Sequence, residues 1–142
     1  MTILTQLDPP ERLLMGPGPS NIHPRVTRAL AAPVVGHLDP VFLQVMEEGK
    51  QLLRQVFQTG NELTIPISGT GSSGMETCFV NSLEPGDRAL VCINGVFGTR
   101  MRDVASRCGA TVDVVEAEWG TIIPPEAVAE ALGKAQYQVV AI

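Results

Sequence analysis

The chain has 142 residues, of which 44% are hydrophobic and 18% charged, and its formal net charge is −5. This composition is typical of a globular domain and excludes a disordered chain, while the scattered basic residues offer no surface for nucleic acid. No apolar run reaches the ~18 residues that a membrane span needs, so we expect neither nucleic acid nor a membrane as partner.

Three cysteines, Cys78, Cys92 and Cys108, stand too far apart for a CxxC pair. We interpret them as reduced, mostly buried thiols of an intracellular protein, and we expect no metal site. The first residues lack the basic start and long apolar core of a signal peptide. The expected compartment is therefore the cytoplasm.

The chain begins with a predicted irregular arm at 1–14, which two adjacent prolines interrupt. The next segment, MGPGPS at 15–20, alternates Gly and Pro, and this excludes both a helix and a regular strand. It is either a surface linker or a loop in which Gly18 lets the backbone approach a ligand closely. A short helix is predicted at 24–31, with Pro at its first position.

The longest predicted helix follows Asp39, a favourable N-cap, and has Pro40 at its first position. Apolar residues recur at helical spacing until about Gln58, and Gly60 is expected to end the helix. His37 lies in the turn before this helix. A histidine in such a turn is either a structural or solvated side chain or part of a site.

A glycine-rich segment, SGTGSSG at 68–74, follows an apolar run at 63–67 and precedes a helix-compatible segment at 75–83. The predicted order is strand, turn and helix. Such a turn collects unpaired backbone N–H groups, the positive end of a helix dipole and several hydroxyls in one place. The segment is therefore suited to hold a phosphate group.

The rest of the chain repeats the order strand, turn and helix. The predicted elements are strands at 88–93, 111–115 and 136–142 and helices at 99–108 and 126–132. Four successive units of this kind favour an α/β fold with a largely parallel sheet and helices on both faces. Because the chain stops within an apolar strand, we expect a piece of a longer protein, truncated at Ile142.

The loop NGVFG at 94–98 lies at the carboxyl end of a predicted strand, which is where open α/β sheets bind their ligands. Its aromatic residue, Phe97, has two interpretations. It is either a hydrophobic anchor for the following helix or a flat surface on which a planar ring stacks.

Several phosphate compounds have to be compared for the glycine-rich turn. Gly69, Gly71 and Gly74 match the GxGxxG fingerprint of dinucleotide-binding folds, but the next strand ends at Asn94 and not at the acidic residue that binds ribose. Pro66 is also unfavourable in a central strand. A mononucleotide P-loop is excluded, because no lysine follows the glycines at the required place.

An ordered set of short segments carries a resemblance to a known family. These are LMGPGPSN at 14–21, VGH at 35–37, VFQT at 56–59, ISGTG at 67–71, LEPGD at 83–87 and NGVFG at 94–98. In this order and spacing they resemble the amino-terminal part of the alanine-glyoxylate and serine-glyoxylate (serine-pyruvate) aminotransferases, class V of the pyridoxal-phosphate-dependent enzymes. The resemblance extends from about residue 13 to residue 142.

The resemblance implies a fold and a cofactor. The fold is the pyridoxal-phosphate-dependent transferase fold type I, with a mixed, mostly parallel sheet and helices on both faces. Residues 1–24 would form an N-terminal arm and substrate loop, and residues 25–142 the amino-terminal portion of the large cofactor-binding domain. Pyridoxal 5'-phosphate and a homodimer are implied for the complete protein.

The family's binding residues transfer by position. Thr70, Gly71 and Ser72 would bind the cofactor phosphate, with Ser72 at a position where eukaryotic members often have His. Phe97 stands where the family usually stacks a Trp on the pyridine ring. These four residues are the expected cofactor site.

Three further residues match substrate positions of the family. Gly18 would bring a backbone amide to the substrate carboxylate, and Gly36 and His37 match a turn that reaches the partner subunit's active site. The Schiff-base lysine, the Asp at the pyridine nitrogen and the Arg for the substrate carboxylate are expected beyond residue 142. We therefore expect no catalytic residue in this chain and no activity from it alone.

The function implied for the complete protein is transfer of an amino group from alanine or serine to glyoxylate or pyruvate. Amino acids and 2-oxo acids would be its substrates. Other class V enzymes, such as phosphoserine aminotransferases or cysteine desulfurases, would reuse the same amino-terminal part. From a different class, a Rossmann-like nucleotide-binding module stays an alternative, and so does a non-catalytic folded fragment.

Overall fold

The computed structural model describes residues 9–142. They fall into two compact units, of which the first ends at Pro66 and the second extends from Ile67 to Ile142. The helices are α1 (Pro24–Leu30), α2 (Pro40–Phe57), α3 (Gly71–Ser82), α4 (Val96–Arg107) and α5 (Pro125–Leu132). The strands are β1 (Arg88–Ile93), β2 (Thr111–Glu116) and β3 (Val139–Ala141). None of the helices in this described range is long and apolar enough to cross a membrane.

Two capped helices make up the regular structure of the first unit. The N-cap of α2 is Asp39, whose carboxylate accepts a hydrogen bond of 2.8 Å from the Val41 N–H, as its type and position predict. The helix runs to Phe57, which agrees with the predicted end near Gln58. The left-handed residue that ends it is Gln58 (φ 51°) and not Gly60. Neither α1 nor α2 contains a buried residue.

The predicted strand at 63–67 is wrong, because these residues form no ladder with any described strand. Pro66 has no N–H to donate, and a proline is tolerated only at the edge of a sheet. The glycine-rich segment is therefore entered from irregular chain. Three strands, and not four, form the described sheet.

The sheet of the second unit is parallel, with the strand order β2-β1-β3. Its central strand β1 lies where the sequence predicts it, and its last five residues are between 0% and 5% exposed. A continuous apolar strand is what a parallel sheet covered on both faces requires. The prediction of an α/β fold with helices on both faces is confirmed.

Alternate residues of β1 face different helices. Ala89 packs with Phe79 and Leu83 of the α3 region and with Ala105 of α4. Leu90 and Cys92 face the other way and pack, together with Val115 of β2, against α5. All buried hydrophobic residues of the described chain belong to these two layers or to β1 itself.

Helix α4 lies on β1 with almost no space between their backbones. Gly98 is buried, and a Cβ atom at this position would stand 2.8 Å from the Cys92 carbonyl oxygen and 2.8 Å from the Ile93 Cα. Only a residue without a side chain allows this approach. The contact fixes the start of α4 at the carboxyl end of the central strand.

The cysteines differ from one another in burial, and all three are free thiols. Cys92 is buried in β1, and its burial raises the pKa of its thiol. Cys108 is partly buried, but Cys78 is exposed on α3. The expectation of mostly buried thiols is therefore wrong for Cys78, because α3 turns only Phe79 fully into the core.

A polar cluster ties β1 to β2 at the opposite, amino-terminal end of the sheet. Arg88 forms an ion pair with Asp113, and the Tyr137 hydroxyl donates to the same Asp113 oxygen at 2.8 Å. These two donors, Arg88 first, hold the pKa of Asp113 below its ordinary value of 3.8. The cluster is only partly covered, since both charged side chains remain more than a third exposed.

Replacing Gly98 with alanine is expected to lower the free energy of unfolding by about 1–3 kcal/mol, the usual effect of overpacking. The matched control is Gly74→Ala in α3, because no atom lies within 4 Å of a Cβ there. That change should raise stability by up to ~1 kcal/mol through helix propensity. Urea unfolding followed by circular dichroism measures both. Equal stability of the two variants would show that the close contact of α4 with β1 is absent.

The variant Asp113→Asn is expected to be less stable than the parent at pH 7, with the gap closing as the pH falls. A carboxyl group whose pKa is lowered by folding stabilises the fold above its unfolded pKa and loses this effect as the pH falls through its folded pKa. Urea unfolding at pH 7 and pH 3 measures the gap. Tyr137→Phe serves as control and should give a smaller gap, since Arg88 still donates. A gap that does not depend on pH would contradict the ion pair.

Candidate functional site

The start of α3 carries the first group of predicted site residues. Thr70 is the N-cap of the helix, and its Oγ1 accepts a hydrogen bond of 3.1 Å from the Ser73 N–H. The Ser73 hydroxyl donates to the Thr70 carbonyl at 2.7 Å, and the Gly74 N–H bonds the same carbonyl at 3.1 Å. The side chain of Thr70 therefore serves the helix start itself.

The helix start leaves two backbone donors available. Among the described residues, no acceptor bonds the N–H of Gly71 or of Ser72, the first two residues of α3. These groups point out of the positive end of the helix, where negative charge is stabilised. The arrangement has the chemistry of an anion site, and it begins four residues earlier than the helix predicted at 75–83.

Phe97 belongs to the first turn of α4, because this helix begins at Val96 and not at residue 99 as predicted. Its side chain is 63% exposed. In the described chain the ring is therefore not a buried anchor for the helix. Most of the ring is accessible, while the neighbouring Gly98 holds its backbone against β1.

One side chain that the sequence motifs do not include joins the two helix starts. Arg100 of α4 donates a hydrogen bond from Nη1 to the Oγ of Ser72, 28 residues earlier. Its guanidinium carbon also lies 5.8 Å from the centre of the Phe97 ring. The spacing of three residues from Phe97 on a helix was the available signal, since such pairs share a face.

The structure brings the four predicted cofactor residues into the second unit, at the starts of two neighbouring helices. The predicted substrate residues lie in the first unit. Gly18 is in an irregular, exposed segment, Gly36 accepts a backbone hydrogen bond from Asp39 at 3.0 Å, and His37 is exposed in the same turn. The binding roles of all seven residues stay predictions.

The competing dinucleotide interpretation needs a residue at the end of β1 that is available for ribose hydroxyls. Asn94 stands there, and its side-chain amide donates to the Thr121 carbonyl at 2.7 Å. The amide is thus already used to fix the loop that follows β2. This contact gives the nucleotide-binding alternative no support.

The comparisons with known proteins point to aminotransferases, although no family profile matches the chain. It is 40% identical to (S)-ureidoglycine--glyoxylate transaminase of Bacillus subtilis over 96% of its length. It is 48% identical to alanine--glyoxylate aminotransferase of Drosophila melanogaster over 82% of its length. The chain covers 33% and 30% of these relatives, respectively, so it spans about a third of their length.

The solved structures agree with the sequence comparison. An alanine--glyoxylate aminotransferase from Nostoc sp. superposes with a TM-score of 0.81 at 45% identity, over 98% of this chain and 37% of that one. The chain is a homologue of one part of the class V aminotransferases. The resemblance read from the sequence is confirmed.

The comparisons bear on two expectations from the resemblance, the cofactor and the fold. The homologous class V aminotransferases depend on pyridoxal phosphate, and their structures share the α/β fold of this chain. A pyridoxamine-pyruvate aminotransferase from Mesorhizobium loti has the same fold at a TM-score of 0.77 and 26% identity. This aminotransferase homologue therefore has the expected fold, with its glycine-rich turn at the start of α3.

Replacing Thr70 with valine is expected to lower the free energy of unfolding by about 1 kcal/mol, because the Ser73 N–H loses its capping acceptor. Valine keeps the branched shape of threonine. The matched control is Thr70→Ser, which keeps the hydroxyl and should remain close to the parent. Urea unfolding of the three proteins makes the comparison. A valine variant as stable as the serine variant would show that Thr70 does not cap α3.

Proposed function

We propose that the complete protein is a pyridoxal-phosphate-dependent aminotransferase that uses glyoxylate as amino-group acceptor and alanine as donor. The observation that carries the proposal is the joining of the two predicted cofactor contacts, Ser72 and Phe97, through Arg100. The two relatives named above support the choice of substrate, since the names of both contain glyoxylate. Serine as donor and pyruvate as acceptor belong to the same expectation.

The donor set at the start of α3 fits a phosphate dianion. It consists of the N–H groups of Gly71 and Ser72, the Ser72 hydroxyl and the neighbouring positive charge of Arg100. Phe97 offers an exposed aromatic face beside them for the pyridine ring. Pyridoxal phosphate, when bound, supplies an electron sink for the bond-breaking at the substrate's α-carbon. The residues of this chain would hold and orient it.

Both lysines of the chain form ion pairs with glutamates. Lys50 forms an ion pair of 2.8 Å with Glu47 on α2, and Lys134 forms one of 2.8 Å with Glu130 at the end of α5. Lys134 also lines a cavity with Arg88 and Asp113, at the amino-terminal end of the sheet. Phe97 follows the carboxyl end of β1. We therefore propose that the catalytic lysine is supplied from outside these 142 residues.

A second candidate donor is ureidoglycine. The transaminase named for this donor aligns with 96% of the chain, a larger share than the alanine-dependent relative from Drosophila does. Gly18, Gly36 and His37 are the proposed substrate contacts of the chain, so the choice between donors would depend partly on them.

We also propose that the complete protein is a homodimer in the cytoplasm. Six apolar side chains of α2 support an additional packing partner, because each is at least half exposed: Val41, Leu43, Val45, Leu52, Val56 and Phe57. A second copy is one such partner, and Gly36 and His37 would reach its active site. Sedimentation of the complete protein tests the dimer, and the free cysteines suit a reducing compartment.

The complete protein is expected to form pyruvate from L-alanine and glyoxylate, whereas the 142-residue chain alone should give no turnover above the uncatalysed rate. Coupling pyruvate to lactate dehydrogenase measures the reaction. L-serine and ureidoglycine replace alanine in parallel assays that measure the glycine formed from glyoxylate, a product common to all three donors, and so rank the donors. A complete protein that binds a nucleotide but shows no visible cofactor absorbance and no turnover would refute the proposal. Turnover by the short chain would refute the external lysine.

A further inference from the structure

Arg100 makes the one side-chain hydrogen bond that joins α3 to α4 within residues 9–142. Its partner Ser72 is half-buried at the second position of α3, whereas Arg100 itself is exposed. The contact thus lies at the rim of the proposed cofactor site and is accessible to a ligand.

The hydrogen bond determines how the Ser72 hydroxyl can be used. A guanidinium has only donors, so Ser72 Oγ must accept from Arg100 and cannot donate back. In the described part of the chain no other group accepts the Ser72 hydroxyl proton. The hydroxyl therefore remains a donor, next to the unbonded N–H groups of Gly71 and Ser72. All three donors suit the oxygens of one anion.

The charge of Arg100 is not neutralised by a close carboxylate. Within residues 9–142 it has no carboxylate oxygen within 4.0 Å, whereas Asp103 on the same helix is paired with Arg107 at 2.9 Å. Glu76 and Asp103 line the same cleft of about 570 Å³ between α3 and α4. Because no carboxylate of the described residues pairs with the Arg100 guanidinium beside Ser72, its positive charge favours a negatively charged ligand there.

The same guanidinium supports the aromatic ring. Its distance of 5.8 Å from the Phe97 centroid lies within the ~6 Å range of cation–π contacts. One side chain therefore contacts both the residue expected at the phosphate and the residue expected at the pyridine ring.

We propose that Arg100 is a positioning residue of the cofactor site. It keeps the Ser72 hydroxyl directed as a donor toward the cofactor phosphate, adds positive charge beside that phosphate and holds the Phe97 ring in place. The inference rests on the proposed function, since it assumes that a phosphorylated pyridine compound binds here. It adds a residue that acts through Ser72 and Phe97.

The test compares two ligands on the complete apoprotein. Pyridoxamine phosphate cannot condense with a lysine, so its dissociation constant reports the non-covalent contacts, and pyridoxamine lacks the phosphate. Arg100→Met should weaken pyridoxamine phosphate about 10- to 100-fold, the effect of losing a charged hydrogen-bond partner. It should weaken pyridoxamine by no more than about threefold, a loss confined to the Phe97 contact. Isothermal titration calorimetry measures both.

Two control variants separate positioning from general stability. Arg102→Met removes an exposed arginine from the same helix and should leave both dissociation constants unchanged. Arg100→Lys keeps the charge and should restore part of the preference for the phosphorylated ligand. Ser72→Ala should weaken pyridoxamine phosphate about fivefold, an ordinary hydrogen-bond effect. Adding Arg100→Met to it should then have a smaller effect than in the parent.

The outcomes distinguish the two proposals. A parent protein that binds neither ligand overturns the proposed function and the inference with it. A parent that prefers pyridoxamine phosphate, with the same preference in Arg100→Met, overturns the inference alone. Equal weakening of both ligands by Arg100→Met also overturns it, because that result indicates only a structural role. If Arg100→Met does not fold, the ratio of the dissociation constants for pyridoxamine and pyridoxamine phosphate is compared between the parent, Arg100→Lys and Ser72→Ala. An unchanged ratio in both variants overturns the inference.

Discussion

The close contact between α4 and β1 is the constraint on which the rest of the second unit depends. Gly98 lets the helix backbone approach the Cys92 carbonyl, so the first turn of α4 has little freedom to shift. Phe97 precedes this contact and Arg100 follows it by two residues. Because Arg100 bonds Ser72, the position of α4 is also transmitted to the start of α3. Gly98 thus fixes the distance between Phe97 and Ser72, which are far apart in the sequence.

The sequence was sufficient where a local pattern had only one physical solution. The central strand was predicted at its observed bounds, because a run of apolar residues between a tight turn and a glycine-containing loop suits a strand covered on both faces. Asp39 capped α2 as expected for the same kind of reason. The unpaired backbone donors of the glycine-rich turn were likewise predictable, since hydroxyl residues and glycines precede a helix. Their role in binding an anion stays a prediction.

The predictions were wrong or incomplete where the local structure depends on a residue that is distant in the sequence. Residues 63–67 have strand-like composition but no described strand to pair with, and composition cannot reveal a missing partner. The starts of α3 and α4 lie four and three residues earlier than predicted, because the glycine and serine residues there favour turns by composition but belong to the first helical turns. The role of Arg100 was not predicted, because its hydrogen-bond partner is 28 residues away. Periodic patterns in a sequence predict contacts only between residues that are one or two helical turns apart, and this contact joins residues much farther apart.

The two units differ in how many hydrophobic residues each buries. This difference has a consequence for which substitutions the chain can accept. Within residues 9–142, every buried hydrophobic residue lies in the second unit, together with Ser72, Phe97 and Arg100. Gly18, Gly36 and His37 lie in loops of the first unit with open space around both glycines. Substitutions in those loops would leave the described hydrophobic core unchanged. Under the proposed function, donor preference is therefore free to change through these loops without disturbing the packing around Ser72, Phe97 and Arg100.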